Sequence, residues 1–112
     1  MTVREVCEAV GLNVVSPGDG TREVKGAIVG DLLSHVLGEA QEGWLWVTIQ
    51  VHLNVSAVAV LKDLPLIVLT SDRRPQDDLA EKCREEGLTL ATTSLTSYDL
   101  ACRLCRLGVG DA

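Results

Sequence analysis

The chain has 112 residues, which suits one domain that buries about two-thirds of its unfolded surface. Apolar residues make up 46% and charged residues 23%, a composition that excludes wholesale disorder. The net charge is −6 and aromatic residues are only 3%, so the chain lacks both the positive charge and the stacking surface that nucleic-acid binding needs.

Helix and strand patterns alternate along the chain. The first helix is capped by Thr2 with Glu5 and ends at Gly11, and strands follow at 12–15 and 27–30. Next come a helix at 32–40 with Asp31 as its N-cap, a strand at 44–49 and a helix from His52 or Asn54 to about Lys62. The remaining predicted elements are a strand at 64–69, a helix at 76–86, a strand at 89–92 and a helix at 97–107. The strands around Ile28, Val47, Ile67 and Leu90 recur about every twenty residues, the length of a strand, a helix and two loops. We therefore predict one α/β domain over residues 1–112, a three-layer α/β/α sandwich whose sheet is mostly parallel and has about five strands.

The cysteines and the apolar runs bear on compartment and redox state. Cys102 and Cys105 have C-x-x-C spacing, but no second pair of metal ligands accompanies them, and they fall late in a predicted helix. We expect the four cysteines to be buried or half-buried thiols. The most apolar stretch, 55–61, is too short to span a bilayer, and the first residues carry charges and no signal-peptide pattern. We expect a cytoplasmic protein with reduced thiols and no membrane contact.

Several catalytic motifs have no match in the chain. There is no G-x-x-x-x-G-K-[ST] loop for nucleotide phosphates, and Gly18-Asp19-Gly20 is not followed by the third glycine of a dinucleotide-binding turn. We therefore expect no ATP-dependent kinase activity. The sequence identifies no cofactor, and it leaves open whether the chain is an enzyme.

Polar residues follow each strand of the predicted parallel sheet, at the end where open parallel sheets bind their ligands. The candidate ligand contacts are Asp31, Gln50, His52, Asn54, Thr70 and Arg73. Alternation along an extended segment places Gln50, His52 and Asn54 on one side. Arg73 and Arg74 directly precede a predicted helix start, an arrangement that suits a small anionic ligand. His52 has three interpretations: a ligand contact, a general base, or a residue that caps the following helix.

The two tryptophans alternate on one strand. Trp44 and Trp46 therefore point to the same face, while Val47 and Ile49 point to the other. Since tryptophan is enriched at interfaces, we expect a homodimer in which one or both indoles lie at the contact. The alternative is that both indoles pack under helices.

Three runs resemble the DRTGG domain family: residues 24–33 (VKGAIVGDLL), residues 46–59 (WVTIQVHLNVSAVA) and residues 66–70 (LIVLT). The resemblance covers residues 3–107. DRTGG domains are similar to the N-terminal domain of HPr kinase/phosphorylase, so the resemblance implies a three-layer α/β fold and an accessory, regulatory or ligand-sensing role. Many members carry Thr-Gly-Gly where this chain has Thr70-Ser71-Asp72. Because glycines let the backbone adopt positive φ, their absence argues against a phosphate-binding nest in this loop.

These observations together favour a stand-alone, non-catalytic regulatory domain that senses a small ligand, with a small anion as the candidate that Arg73 and Arg74 suit. A second interpretation is a protein-interaction subunit that docks on a partner enzyme. A third is a small enzyme that uses His52 as a base, together with Asp31 or Asp72.

Overall fold

The structure, a computed structural model, describes residues 1–110. In chain order its elements are α1 (Val3–Val10), β1 (Asn13–Ser16), β2 (Gly26–Val29), α2 (Leu33–Glu39), β3 (Trp44–Thr48), α3 (Asn54–Lys62), β4 (Leu66–Leu69), α4 (Asp77–Glu85), β5 (Thr89–Thr92) and α5 (Ser97–Arg106). The predicted order of helices and strands is confirmed, and the bounds move by one or two residues at most ends.

The five strands form one sheet in the order β1-β5-β4-β3-β2. β2, β3, β4 and β5 pair in parallel, each with its neighbour along the chain. β1 lies at the edge and pairs antiparallel with β5, with an irregularity in register between Val14 and Ser16. The prediction of a mostly parallel sheet of about five strands is confirmed.

Helices cover both faces of this sheet. α2, α3 and α4 pack on one face, and the strand side chains buried beneath them are Ile28, Trp46, Ile67, Leu69 and Leu90. α1 and α5 pack on the other face, where the buried strand side chains are Leu45, Val47, Leu66, Val68 and Ala91. Alternate residues of each strand thus enter opposite cores, which gives the predicted three layers.

The indole of Trp46 is fully buried inside the domain. Its Nε1–H donates a 2.8 Å hydrogen bond to the carbonyl of Gly30, and Trp44 packs half-buried at the margin of the same core. Both indoles therefore lie on one face, as predicted. Trp46 is excluded from any interface, because its ring and its N–H both find partners within the chain, which leaves the half-buried Trp44 as the one of the two indoles to which that expectation still applies.

The first two helices start differently. Thr2 and Glu5 form the predicted capping box, with backbone-to-side-chain distances of 3.0 and 3.2 Å. Gly11 ends this helix in the left-handed region at φ +76°. The prediction that Asp31 is the N-cap of α2 is wrong: Leu32 holds that position without a side-chain hydrogen bond, because the Asp31 carboxylate bonds to β3 instead.

All four cysteines are free thiols. Cys7 and Cys83 are buried and Cys102 is half-buried, but Cys105 is exposed, contrary to the expectation of burial for all four. Burial raises the pKa of the Cys7 thiol and raises that of Cys83 to about 11. Within residues 1–110 no helix is long and apolar enough to cross a membrane.

Candidate functional site

The strands β4 and β5 are neighbours, yet they lead the chain to opposite faces of the sheet. β4 leads to α4, whose Leu79 and Cys83 pack in the core under α2, α3 and α4. β5 leads to α5, whose Leu100 and Leu104 pack in the core on the opposite face. In parallel sheets such a divergence at the carboxyl ends is where a ligand crevice forms. We call this place, residues 70–76 and 93–97, the β4–β5 divergence.

Two hydroxyl groups meet at the bottom of the β4–β5 divergence. Thr70, directly after β4, is fully buried, and its Oγ1 lies 2.7 Å from Oγ of Ser97, the first residue of α5. The backbone N–H of Thr70 also donates to the carbonyl of Thr48 on β3. The bonds to Ser97 and to Thr48 thus fix the position of Thr70. They place the two hydroxyl groups where β4 and β5 lead to opposite faces of the sheet.

The backbone after Thr70 takes the conformation that paired glycines would take. Ser71 has φ +59° and Asp72 has φ +58°, both in the left-handed region that L side chains rarely adopt. The N–H of Ser71 donates to the carbonyl of Leu95 at 2.8 Å, and that of Asp72 to the carbonyl of Thr93 at 3.0 Å. These bonds join the two loops across the divergence, and they occupy the amides that an anion-binding nest would need.

The two guanidiniums of this loop extend into solvent. Arg73 and Arg74 are exposed, and neither makes an ion pair within residues 1–110. The loop also touches the one that follows β3, because the N–H of Gln76 donates to the carbonyl of Val51 at 3.0 Å. Next to Val51, His52 is exposed and its imidazole makes no hydrogen bond in the described part of the chain.

A second polar cluster joins the loops after β2 and β3. The Asp31 carboxylate accepts from the Thr48 hydroxyl and from the N–H of Ile49, each at 2.9 Å. The Gln50 side-chain amide donates to the carbonyl of Asp31 at 3.0 Å, and the Gln50 N–H donates to the Thr48 hydroxyl at 3.1 Å. This cluster ties one loop to the other through bonds within the chain.

The structure therefore distributes the predicted site residues over three places. Asp31 and Gln50 lie together at β2 and β3, Thr70 and Arg73 lie at the β4–β5 divergence, and His52 and Asn54 are exposed at the start of α3. Alternation does not carry on from Gln50 through His52 to Asn54, because Leu53 already has helical φ and ψ of −52° and −35°.

Sequence reasoning missed Thr48 and Ser97 as partners in these two clusters. Thr48 is fully buried at the end of an otherwise apolar strand, and a lone hydroxyl in that position is a signal that a polar partner lies nearby. Ser97 was predicted only as the start of the last helix. Its contact with Thr70 depends on the pairing of β4 with β5, which no local pattern encodes.

Comparison with known proteins finds a similarity of fold. No family model matches the chain, and no curated protein matches it. A similar solved structure is that of the CBS and DRTGG domains of the regulatory region of Clostridium perfringens pyrophosphatase, in complex with its activator diadenosine tetraphosphate. The TM-score is 0.73 at 12% sequence identity, over 92% of this chain and 45% of that chain.

This likeness establishes the fold. The chain has a DRTGG-like fold, as the resemblance of residues 24–33, 46–59 and 66–70 implied. It spans less than half the length of the regulatory region that it matches.

Proposed function

We propose that this chain is a regulatory domain that senses a small anionic ligand at the β4–β5 divergence. The observation that carries the proposal is the arrangement at that place, where a hydroxyl pair, Thr70 with Ser97, lies beside a loop whose two exposed guanidiniums make no ion pair within residues 1–110. The likeness to a regulatory region whose activator is diadenosine tetraphosphate supports the same class of ligand.

The side chains of the loop favour a ligand that carries phosphate groups over an apolar ligand that carries a carboxylate. Arg73 and Arg74 offer planar donor pairs that match phosphate oxygens, and exposed guanidiniums are free to close on a ligand. The loop amides of Ser71 and Asp72 already donate to carbonyls, so the side chains supply the contacts. Asp72, Asp77 and Asp78 flank the two arginines and attract the same guanidiniums. A ligand therefore needs several phosphate groups to bind Arg73 and Arg74 in competition with these carboxylates.

A thermal-shift experiment tests the proposal with inorganic phosphate, pyrophosphate, ATP and diadenosine tetraphosphate as probes. A bound probe at 100 times its Kd stabilises the folded state by about 2.7 kcal/mol. We expect the polyphosphate probes to raise the Tm by several degrees and inorganic phosphate to have little effect. The Arg73→Gln/Arg74→Gln variant should lose most of that shift.

The matched control is Arg103→Gln, which removes a guanidinium from α5. It should keep the wild-type ligand response. The proposal fails if no polyphosphate raises the Tm of the wild type, or if the response survives in Arg73→Gln/Arg74→Gln and disappears in Arg103→Gln.

In this proposal the chain forms a homodimer in the cytoplasm, a reducing compartment in which four free thiols persist. The proposal includes no catalytic step. A base must be held in place by a neighbouring group, and no side chain within residues 1–110 hydrogen-bonds the exposed imidazole of His52.

The second candidate function is a subunit that docks on a partner enzyme. Exposed apolar side chains on α3 favour it, because an apolar patch on a small domain marks an interaction surface.

A further inference from the structure

The helix α3 is apolar on all sides. Its nine residues, Asn54–Lys62, include one charged side chain, at the last position. Val55, Val58 and Ala59 are buried against the sheet. A helix that is apolar all round is typical of a helix covered on all sides, but here the sheet and the neighbouring helices α2 and α4 leave its outward side uncovered.

The outward side of α3 exposes large apolar groups. Leu61 is 74% exposed, Val60 is 46% exposed, and Leu53, at the N-cap, is 43% exposed. Together with Ala57, Lys82 and Glu86 they line a groove of about 780 Å³ between α3 and α4. We call these six residues the α3–α4 face.

We propose that the α3–α4 face is the contact between two copies of this chain in a two-fold symmetric dimer. The assignment rests on the homodimer proposed above and names its contact surface. It is independent of the ligand at the β4–β5 divergence.

Charge complementarity points to a second copy as the occupant. Lys82 and Glu86 lie one helical turn apart on the polar side of the groove, with Lys82 Nζ 3.5 Å from the Glu86 carboxylate in the same copy. A two-fold rotation about an axis perpendicular to α4 reverses the direction of that helix, so it brings Lys82 of one copy opposite Glu86 of the other, twice. A face with one positive and one negative group in this order is complementary to itself.

The area fits the same occupant. The exposed parts of Leu53, Val60 and Leu61 amount to roughly 300 Å², an apolar centre for an interface that buries about 800 Å² on each partner, with Lys82 and Glu86 at its polar rim. Each copy carries a net charge of −6, so two copies repel over most of their surfaces. On the α3–α4 face Lys82 offsets Glu86, and Glu85, 3.7 Å from Lys82 Nζ, places a second carboxylate beside the face.

Sedimentation equilibrium of the full chain, at concentrations from micromolar to hundreds of micromolar, tests the assignment. We expect the wild type to dimerise, and Leu61→Glu to weaken the dimer by at least tenfold. Since Leu61 is 74% exposed, the variant should keep the Tm of the monomer. Tyr98→Glu is the matched control: it places the same charge at a 77% exposed position on α5, on the opposite side of the sheet, and should leave the dimer intact.

Exchanging the charges of Lys82 and Glu86 tests whether these two side chains face each other across the dimer contact. Lys82→Glu or Glu86→Lys alone puts like charges opposite each other and should weaken the dimer several-fold. The double variant Lys82→Glu/Glu86→Lys restores opposite charges across the two-fold axis and should recover the wild-type Kd.

Two results would overturn the assignment. If Leu61→Glu dimerises as strongly as the wild type, the homodimer stands but uses another face. If the wild type is monomeric at hundreds of micromolar, the face does not join two copies, and the alternative of docking on a partner enzyme takes its place. Neither result bears on the ligand-dependent Tm shift, which tests the proposed function separately.

Discussion

Ser71 and Asp72 hold a backbone conformation that glycine adopts without a steric penalty. Their φ values of +59° and +58° each cost an L residue about 1–2 kcal/mol, whereas glycine loses about 0.5–1 kcal/mol of chain entropy on folding. Ser71→Gly should therefore raise the free energy of unfolding by about 0.5 kcal/mol. Asp72→Gly should gain less, since aspartate tolerates the left-handed region better than serine.

Urea denaturation of the Ser71→Gly variant checks this prediction, with Ser94→Gly as control. Ser94 is exposed on the loop after β5 and has no positive φ, so glycine there should lower stability. If Ser71→Gly lowers stability as much as Ser94→Gly does, the loop after β4 does not hold the left-handed conformation in solution.

Asp31 and His52 should differ in their effect on stability although both are exposed. Asp31→Ala removes the acceptor for the Thr48 hydroxyl and the Ile49 N–H and should cost about 1.5–3 kcal/mol, as for hydrogen bonds to a charged group. His52→Ala should change stability by less than about 0.5 kcal/mol, because only the His52 carbonyl takes part, accepting from the N–H of Val55.

Chemical denaturation of both variants measures the difference. A loss of about 1 kcal/mol in His52→Ala would mean that the imidazole caps α3 after all. A neutral Asp31→Ala would mean that the bonds between the loops after β2 and β3 add nothing to stability.

Among the helices, α1 makes a contribution to the stability of the fold that depends on pH, through Glu5 in its first turn. The backbone N–H of Thr2, and secondly its hydroxyl, bond to Glu5 and hold the pKa of that carboxyl below its usual 4.5. A carboxyl whose pKa is lower in the folded state stabilises the fold above its unfolded pKa, and this contribution disappears as the pH falls through the folded pKa.

The Glu5→Gln variant isolates this effect, since glutamine at the third helical position can still bond to the Thr2 N–H. The stability advantage of the wild type over Glu5→Gln should be present at pH 6 to 7 and shrink as the pH falls below about 4. Thermal unfolding across that range measures it. An advantage that is the same at both ends of the range would show that Glu5 does not titrate differently in the folded chain.

The elements that the sequence predicted well are those with local signals. The capping box of Thr2 with Glu5, the glycine end of α1 and the four apolar parallel strands all follow from residues within one turn or one strand. The errors came from contacts between distant segments. Asp31 satisfies a local rule for an N-cap, but the neighbouring strand β3 supplies better donors for its carboxylate. Likewise, the antiparallel pairing of β1 with β5 joins segments about 75 residues apart along the chain, beyond any local signal.

The candidate site was predictable only in outline. Open parallel sheets bind ligands at the carboxyl ends of their strands, and this rule placed Thr70 and Arg73 among the candidate residues. The divergence of β4 and β5 depends on α4 and α5 packing on opposite faces, which the sequence patterns of those helices do not distinguish. For that reason the sequence names Thr70 and His52 as candidates but does not identify Ser97 as the partner of Thr70.

At the scale of the whole molecule, the two cores share one sheet. Each core contains one buried cysteine, whose reactivity measures the opening of that core. Cys83 lies in the core under α2, α3 and α4, and Cys7 lies in the core under α1 and α5. Burial raises the pKa of both thiols, to about 11 for Cys83, so the reactive thiolate is scarce while the chain is folded. Each thiol should therefore react with a thiol reagent only after the chain around it opens.

In a Cys102→Ser/Cys105→Ser background, we expect Cys7 and Cys83 to become reactive with the same denaturant midpoint. Both cores are built on opposite faces of the same strands β3, β4 and β5, so neither core can lose its sheet while the other keeps it. Single-cysteine variants, Cys7→Ala and Cys83→Ala in that background, measure the two labelling rates separately as a function of urea. Cys7 reacting at lower urea, with a weaker dependence on denaturant, would show instead that α1 detaches from the sheet while the parallel core stays folded.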